Sequence, residues 1–362
     1  MSQDVFNAIR RLQKDAFDAH RFYLETCEKI ACNLSPKPFF FIPIDWDRCF
    51  MGWYEWIQRS TAQNLMDSMA RDLMESMARA FFGNMRIHPS ASAVFRSRRP
   101  VIFFANHEID VEGIFFSIIM RGMFHYPVEI MARRFVIEES YLSPVLQWIG
   151  KRIGLDERNP YLGFCLIDKK DPLAVWRAFT ENVRQMKAKG ISMLVHVEGE
   201  HAKMANHKVE KLSSSLIDLA IDADLPIVPV RFFGALPVTP VSVHFLQWPY
   251  RFGREHMDIG APIDPADLSK MPSFQRKAHV LEQMNAVGPV KEEPSPPNLR
   301  FESMVQQSME TYGWSEEQAV IYVLLKQSRN PSMETQMILD AIEHKKPVRD
   351  PSLLELYRRI FG

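Results

Sequence analysis

Short apolar runs alternate with longer amphipathic stretches between about residues 86 and 265, and this alternation limits the possible folds more than any other feature of the 362-residue chain. Short apolar runs predict strands, and apolar residues at three- and four-residue steps predict helices. Strands that alternate with helices are typical of the α/β class, here a mixed, mostly parallel sheet flanked by helices. The predicted strands are 101–105, 127–131, 164–167, 191–197, 227–232, 241–246 and 256–260, and the predicted helices are 111–121, 136–149, 172–189 and 210–223.

The regions before and after this alternation are predicted to be helical. Residues 4–31 carry apolar side chains at helical spacing, and a helix is predicted at 273–286. The sequence leaves open whether the C-terminal helices dock a partner or pack back on the α/β domain. The predicted organisation is a helical N-terminal region (1–85), an α/β domain (86–287), a stiff, proline-rich linker (288–297) and a small helical C-terminal extension (298–362).

Composition excludes several classes of protein. Lys plus Arg and Asp plus Glu number 44 each, so there is no overall basic field that would attract nucleic acid. No apolar stretch approaches the ~20 residues of a membrane-spanning helix, and the N-terminus lacks a signal-peptide pattern. The four cysteines show no paired spacing for zinc or redox chemistry, which favours a reducing compartment. We therefore expect a cytoplasmic protein.

A histidine and two carboxylates follow the predicted strand 101–105. Loops at the carboxyl ends of α/β strands are where such sheets expose reactive side chains, and His107 can take up and return a proton near neutral pH. Glu112 lies where the start of a helix can bring its carboxylate back to the imidazole. Because no serine or cysteine nucleophile lies beside them, the pair predicts a base that acts directly on a substrate hydroxyl. The alternative is structural, since Asp110 and Glu112 also suit the first turn of a helix.

Polar residues also follow two other predicted strands. Lys169 and Lys170 come after strand 164–167 and could hold a phosphate as point charges. After strand 191–197, Gly199 would allow close backbone approach, and its N–H group is a candidate oxyanion donor. The histidines and acids around this glycine lack the helical spacing of a zinc site, so no metal is predicted. These residues are His196, Glu198, Glu200, His201 and His207, of which Glu198 could bind an acceptor hydroxyl or brace the loop.

Four segments of the chain, in order, resemble the motifs of the glycerolipid acyltransferase superfamily, which includes the 1-acylglycerol-3-phosphate acyltransferases. The resemblance covers roughly residues 95–265. The first family motif is Asn-His followed by four residues and Asp; Asn106 and His107 match it, and Glu112 occupies the place of the acid. The second motif ends in Ile-Asp-Arg and resembles Ile-Asp-Lys at residues 167–169.

The third and fourth motifs follow in the expected order. The third, Pro-Glu-Gly-Thr-Arg, is matched at residues 198–199, with His201 in place of the arginine, and Lys211 resembles the lysine that comes after it. This change weakens the expected phosphate clamp, because a titrating side chain replaces a permanent cation. The fourth motif is matched by Pro-Ile-Val-Pro-Val at 226–230. Asp110 is similar to an acid of the soluble glycerol-3-phosphate acyltransferases of plastids.

The resemblance implies an acyltransferase whose co-substrate is acyl-CoA or acyl carrier protein, with no other cofactor. His107, held by Glu112, would remove a proton from an acceptor hydroxyl or amine as it attacks the thioester carbonyl. Asp110 is the alternative partner of His107 and completes the predicted catalytic set. The predicted substrate-binding residues are Asn106, Lys169, Lys170, Glu198, Gly199, His201, Lys203 and Lys211.

The acceptor that the resemblance implies is a glycerolipid or a similar molecule. Because the acyl product belongs in a bilayer, we expect peripheral contact of the N-terminal helices with the cytoplasmic face of a membrane. Two other classes of function stay open. A thioesterase or other hydrolase could use the same histidine–carboxylate pair on water, and a non-catalytic lipid-binding protein could keep the acyltransferase fold without its chemistry.

Overall fold

The computed structural model of the protein describes residues 39–61, 65–66, 68–156, 159–167, 172–241, 248–293 and 296–362. The helix predicted at 4–31 lies outside these residues, as do Lys169, Lys170 and all but the first residue of the strand predicted at 241–246. Among the described helices, none is long and apolar enough to cross a membrane.

Eight strands form one sheet in the described part of the chain. They are β1 (Phe40–Ile42), β2 (Phe82–Ile87), β3 (Ile102–Ala105), β4 (Val128–Arg133), β5 (Phe164–Ile167), β6 (Ser192–His196), β7 (Ile227–Phe233) and β8 (Glu255–Ile259). Their order across the sheet is β1-β2-β8-β7-β3-β6-β4-β5. The pairs β1–β2 and β7–β8 are antiparallel, and the other neighbouring pairs are parallel. The prediction of a mixed, mostly parallel α/β sheet is therefore confirmed.

Helices cover both faces of this sheet. They are α1 (Trp46–Thr61), α2 (Met69–Phe81), α3 (Pro89–Ser97), α4 (Glu112–Phe124), α5 (Arg134–Glu139), α6 (Ser143–Arg152), α7 (Pro172–Lys189), α8 (Ser214–Asp222), α9 (Pro265–Ser269), α10 (Ser273–Ala286), α11 (Leu299–Tyr312), α12 (Glu316–Lys326), α13 (Met333–His344) and α14 (Pro351–Phe361). Alternate residues of each central strand enter opposite cores: Phe103 packs with α1, α2 and α4, and Phe104 packs with α7, α8 and α10. Burial on both faces explains why β3 is apolar throughout.

One predicted helix is divided in two. The sequence predicts a single helix at 136–149, whereas α5 ends at Glu139 and α6 begins at Ser143. Pro144 lies in the first turn of α6. Its ring and its missing N–H group are tolerated at a helix start but interrupt a helix interior, which accounts for the break.

Residue 85, the predicted N-terminal boundary, lies inside β2. This strand pairs with β8 in the main sheet, and β1 pairs with β2. The sequence gives a weak strand pattern here because Gly83 and Asn84 are poor strand formers that directly follow a helix. The described part of the N-terminal region is therefore built into the sheet rather than separate from it.

The C-terminal helices pack back on the α/β domain. Asp72 of α2 accepts hydrogen bonds from the Ser332 backbone N–H (2.7 Å) and the Thr335 hydroxyl (2.6 Å) at the start of α13. Trp148 of α6 donates to the Ser352 hydroxyl of α14 at 2.8 Å. These buried polar contacts favour the second of the two arrangements that the sequence left open.

The predicted linker 288–297 is also attached to the domain. Within it, the Glu292 side chain is 3% exposed and forms a 2.6 Å ion pair with Arg231 of β7, which is 8% exposed. The second carboxylate oxygen of Glu292 accepts the backbone N–H of Asn206 at 2.6 Å. Within the predicted linker, Glu292 is therefore anchored to the α/β domain.

Candidate active site

His107 and Glu112 lie in contact at the end of β3. His107 Nδ1 lies 2.6 Å from Oε1 of Glu112, and the carboxylate also accepts the backbone N–H groups of Glu108 (3.1 and 3.2 Å) and Ile109 (3.2 Å). Glu112 is the first residue of α4, so the turn between strand and helix folds the glutamate back to the histidine. The structure places Glu112, and not Asp110, on the imidazole.

Burial shifts the pKa of both members of this pair. It raises the pKa of Glu112 to about 7, a rise that nearby His196 and two backbone N–H groups oppose. It lowers the pKa of His107 well below the ordinary range, and the charge of His201 lowers that pKa further. His107 is therefore neutral near pH 7, and its Nε2 lone pair is available because Nδ1 donates to the carboxylate. Proton uptake by His107 neutralises the buried charge of Glu112, which makes the pair suited to act as a base.

Three imidazole rings form a stack with His107 in the middle. The ring centroid of His196 lies 3.9 Å from that of His107 at an interplanar angle of 20°, and His201 lies 3.7 Å away at 30°. His196 Nδ1 donates to the carbonyl of Asn106 at 2.7 Å, and burial lowers the pKa of His196 to about 3. His201 Nε2 lies 2.8 Å from Oδ1 of Asp110. Asp110, predicted as a possible partner of His107, thus pairs with His201.

Some of these side chains lie close enough together to be considered as metal ligands. Ligand atoms of two sets, His107 with Glu112 and His196, and His107 with Asp110 and His201, lie within 4.8 Å of one another. An imidazole binds a metal along the lone pair in its ring plane. Because the stacked rings are nearly parallel, their lone pairs run side by side instead of meeting at one point. The observed arrangement suits proton transfer better than metal binding.

The loop after β6 uses Gly199 differently from the prediction. Its N–H group, a candidate oxyanion donor in the sequence, donates to the carbonyl of His196 at 3.2 Å. Its carbonyl accepts Nη2 of Arg133 at 2.8 Å. Gly199 has φ +66°, and a Cβ atom here would lie 2.8 Å from the Arg133 guanidinium. Glycine therefore suits the left-handed backbone conformation here, and a side chain would also displace the Arg133 guanidinium.

Asn106 and Glu198 have structural contacts where the sequence predicts substrate contacts. The Asn106 side chain is buried, accepts the backbone N–H of Phe232 and donates to its carbonyl, both at 2.7 Å, and so joins β3 to β7. Glu198 accepts the backbone N–H groups of Glu210 (3.2 Å) and Lys211 (3.4 Å). Glu198 thus braces the loop, one of the two roles that the sequence left open.

Of the predicted lysines, the two that the structure describes do not gather at His107. The Lys211 ammonium group pairs with Glu200, and both side chains are exposed. Lys203 is exposed and is not among the described residues that line the cavity beside His107. Lys169 and Lys170 lie outside the described residues. Arg133, which the sequence analysis did not select, does line the cavity; its position directly at the end of a strand, as for His107 after β3, could have indicated it.

A cavity of about 600 Å³ opens beside the histidine stack. His107, Asp110, Arg133 and His201 line its polar side. A second, apolar wall is made by residues of α4, β4, α5, α6 and β5. Its residues include Ile114, Ile130, Ile137, Leu142, Leu146 and Phe164.

The fold and the motif positions agree with the comparison to known families. A family model described as Acyltransferase matches residues 86–232, which include His107, Glu112, Arg133 and His201. Residues 86–232 therefore match an acyltransferase domain, in agreement with the resemblance to the glycerolipid acyltransferase superfamily.

Among solved structures, the chain is similar to the 1-acyl-sn-glycerophosphate (LPA) acyltransferase PlsC from Thermotoga maritima. The match covers 76% of this chain and 95% of that chain, with 14% sequence identity and a TM-score of 0.40. A search of curated protein sequences finds no significant match.

Proposed function

We propose that this acyltransferase moves a fatty acyl group from a thioester donor, acyl-CoA or acyl carrier protein, to a hydroxyl or amine of a glycerolipid-like acceptor. The observation that carries the proposal is the 2.6 Å contact of His107 with the buried Glu112, on the polar side of a cavity whose other wall is apolar. A base beside an apolar cavity suits the joining of a polar acceptor to an acyl chain.

In this mechanism His107 removes the acceptor proton as the acceptor oxygen or nitrogen attacks the thioester carbonyl. Glu112 holds the imidazole in the tautomer that exposes Nε2 and stabilises the imidazolium that forms. Because the Gly199 N–H already donates to His196, we assign stabilisation of the developing oxyanion to Arg133, whose guanidinium lines the cavity.

The apolar wall provides the expected binding site for the acyl chain. Burial of each CH₂ group contributes about 0.8 kcal/mol. We therefore expect kcat/KM to rise by up to about fourfold for each added carbon until the chain fills the cavity. Donors with acyl chains of increasing length, measured with one acceptor, would show this rise. A kcat/KM that does not change with chain length would contradict the assignment of this wall.

The central test is acyl transfer by wild type and His107→Ala. Acyl-CoA and acyl carrier protein donors are offered with phosphorylated and unphosphorylated lipid acceptors, and both the ester or amide product and free fatty acid are measured. We expect His107→Ala to lose about 10²–10⁴-fold in kcat/KM. His207→Ala is the matched control, because His207 is a histidine near the same loop that is not among the described cavity-lining residues.

Three results would contradict the proposal. Free fatty acid as the main product in the presence of acceptor would indicate a thioesterase. Transfer that is unchanged in His107→Ala would remove the base from the mechanism. Lipid binding without turnover of any donor would favour a non-catalytic lipid-binding protein. Peripheral membrane contact and a cytoplasmic location stay predictions. Co-sedimentation of the protein with phospholipid vesicles would test the membrane contact.

A further inference from the structure

The cavity contains a second histidine–carboxylate pair, formed by His201 and Asp110. His201 Nε2 lies 2.8 Å from Asp110 Oδ1, and the two side chains are 9% and 11% exposed. Both residues line the same cavity as His107. The pair is held in place by the backbone, because the N–H group of Ala202 donates to the carbonyl of His107 at 2.7 Å.

The reaction needs two proton transfers. His107 collects the acceptor proton, and the leaving sulfur must then receive one. The face-to-face contact of His107 with His201, at 3.7 Å between ring centroids, links these events. When His107 becomes an imidazolium, its charge repels a proton on the neighbouring ring, and His201 becomes a stronger acid at the time when the thiolate leaves. The charge of His201 lowers the pKa of His107, which supports an electrostatic link between the two rings.

We propose that His201, held by Asp110, is a second catalytic histidine that protonates the leaving group while the His107–Glu112 pair removes the acceptor proton. The proposal rests on the acyltransferase mechanism given above and adds a division of labour to it. A carboxylate partner is the feature that allows each imidazole to carry a positive charge in a largely buried site.

The proton balance of the cycle closes. His107 takes the proton of the acceptor O–H or N–H group, and the acceptor atom forms a bond to the carbonyl carbon. The C–S bond then breaks, and the sulfur takes a proton from the His201 imidazolium, which becomes neutral. The products are the acyl ester or amide and the free thiol. His107 returns its proton, and His201 regains one, by exchange with water in the open cavity.

Donors with different leaving groups separate this role from a structural one. Thiophenolate is a weak base that leaves without protonation, whereas the alkyl thiolate of CoA benefits from a proton. We expect His201→Gln to lose about 10²-fold or more in kcat with acyl-CoA, and much less with the S-phenyl thioester of the same fatty acid. His107→Ala should lose a similar factor with both donors, because it acts on the acceptor.

Two further variants separate proton donation by His201 from a folding defect and from the effect of its positive charge. Asp110→Asn leaves the imidazole in place but removes its carboxylate, and we expect the same donor dependence with a smaller loss. His201→Arg keeps a positive charge that cannot be given up as a proton, so it should behave like His201→Gln with acyl-CoA. His207→Gln is the control, and circular dichroism checks the fold of each variant.

Equal losses with both donors in His201→Gln and Asp110→Asn would overturn the proposal, as would full activity of His201→Arg with acyl-CoA. The latter result would show that His201 supplies only charge. Failure of the underlying mechanism would look different, because His107→Ala would then retain transfer with both donors whatever the behaviour of the His201 variants.

Discussion

Three buried glutamates lie close together and differ in the hydrogen-bond donors around them. Glu112 forms the first group, and Glu108 and Glu255 form the second. Glu112, Glu108 and Glu255 are each 0% exposed. Glu112 receives the His107 imidazole and two backbone N–H groups, and its pKa rises only to about 7. The carboxyl oxygens of Glu255 have no hydrogen-bond partner among the described residues, and burial raises its pKa well above the ordinary value. Hydrogen-bond donors, and not the depth of burial, therefore decide which buried carboxylate can carry a charge.

Among the described residues, buried Arg231 compensates the second group only in part, because it lowers the pKa of Glu108 and Glu255 but is shared with Glu292. Arg231 pairs with Glu292 at 2.6 Å, and the charge of Glu292 adds to the burial that raises the pKa of Glu108. Glu108 and Glu255 are consequently expected to be protonated near pH 7, whereas Glu112 can ionise. Glu112 can therefore support the base His107, whereas Glu108 and Glu255 are neutral, buried acids.

The largest expected contrast is between Glu112→Gln and Glu255→Gln. Removal of the charge of Glu112 leaves His107 without stabilisation of its imidazolium, and kcat/KM should fall about 10²–10⁴-fold. Glu255→Gln replaces one neutral group by another of the same shape, so kcat/KM should stay within about threefold of wild type. Steady-state acyl transfer measures both. Equal losses in the two variants would show that the glutamates are not divided as proposed.

The pH dependence of transfer sharpens the same contrast. Because the base requires an ionised Glu112, kcat/KM should fall about tenfold per pH unit below pH about 7. The pKa of His107 is already lowered by burial, and loss of the carboxylate lowers it further. The residual activity of Glu112→Gln should therefore persist to lower pH than that of wild type. An acid limb at the same pH in both proteins would argue against Glu112 as the titrating group.

The smallest expected effect is on stability. The folded-state pKa of Glu255 is raised above its ordinary value of 4.5, so the unfolded chain releases this proton first as the pH rises. Folding stability is then lost between pH 4.5 and the raised pKa, by up to about 1.4 kcal/mol per pH unit. Glu255→Gln cannot ionise at this position. From pH 5.5 to 7.5 its free energy of unfolding in urea should therefore decline less steeply than that of wild type, with a difference in slope on the order of 1 kcal/mol per pH unit. Parallel curves would show that Glu255 is ionised in the folded protein.

Local features of the site could be predicted from the sequence, and contacts between distant segments could not. His107 and Glu112 are separated by one turn, so the strand-to-helix pattern alone brings them together. Asp110 and His201 lie in the loops after β3 and β6, and these two strands are neighbours only in the folded sheet. The hydrogen bonds that occupy the Gly199 N–H and the Asn106 amide depend on backbone positions that no residue type specifies.

The same distinction holds for the fold. Strand β5 and helices α7 and α10 have the predicted bounds, because apolar periodicity and flanking breakers define them. Strand β2 was missed because Gly83 and Asn84 hide its pattern, and its place beside β8 comes from pairing over a long sequence separation. Strand β7 carries Pro229 in the interior of the sheet, where proline is usually rare.

The ion pair of Glu292 with Arg231 limits where this chain can be divided without loss of stability. Glu292 lies between α10 and α11, yet it supplies the counter-charge for an arginine inside the α/β domain. A rearrangement that separated the domain from its C-terminal helices before this residue would leave the guanidinium buried and unpaired, which costs about 3–5 kcal/mol. A typical domain is stabilised by only about 5–15 kcal/mol. Glu292 therefore belongs energetically with the α/β domain, and a division of the chain costs less after this residue than before it.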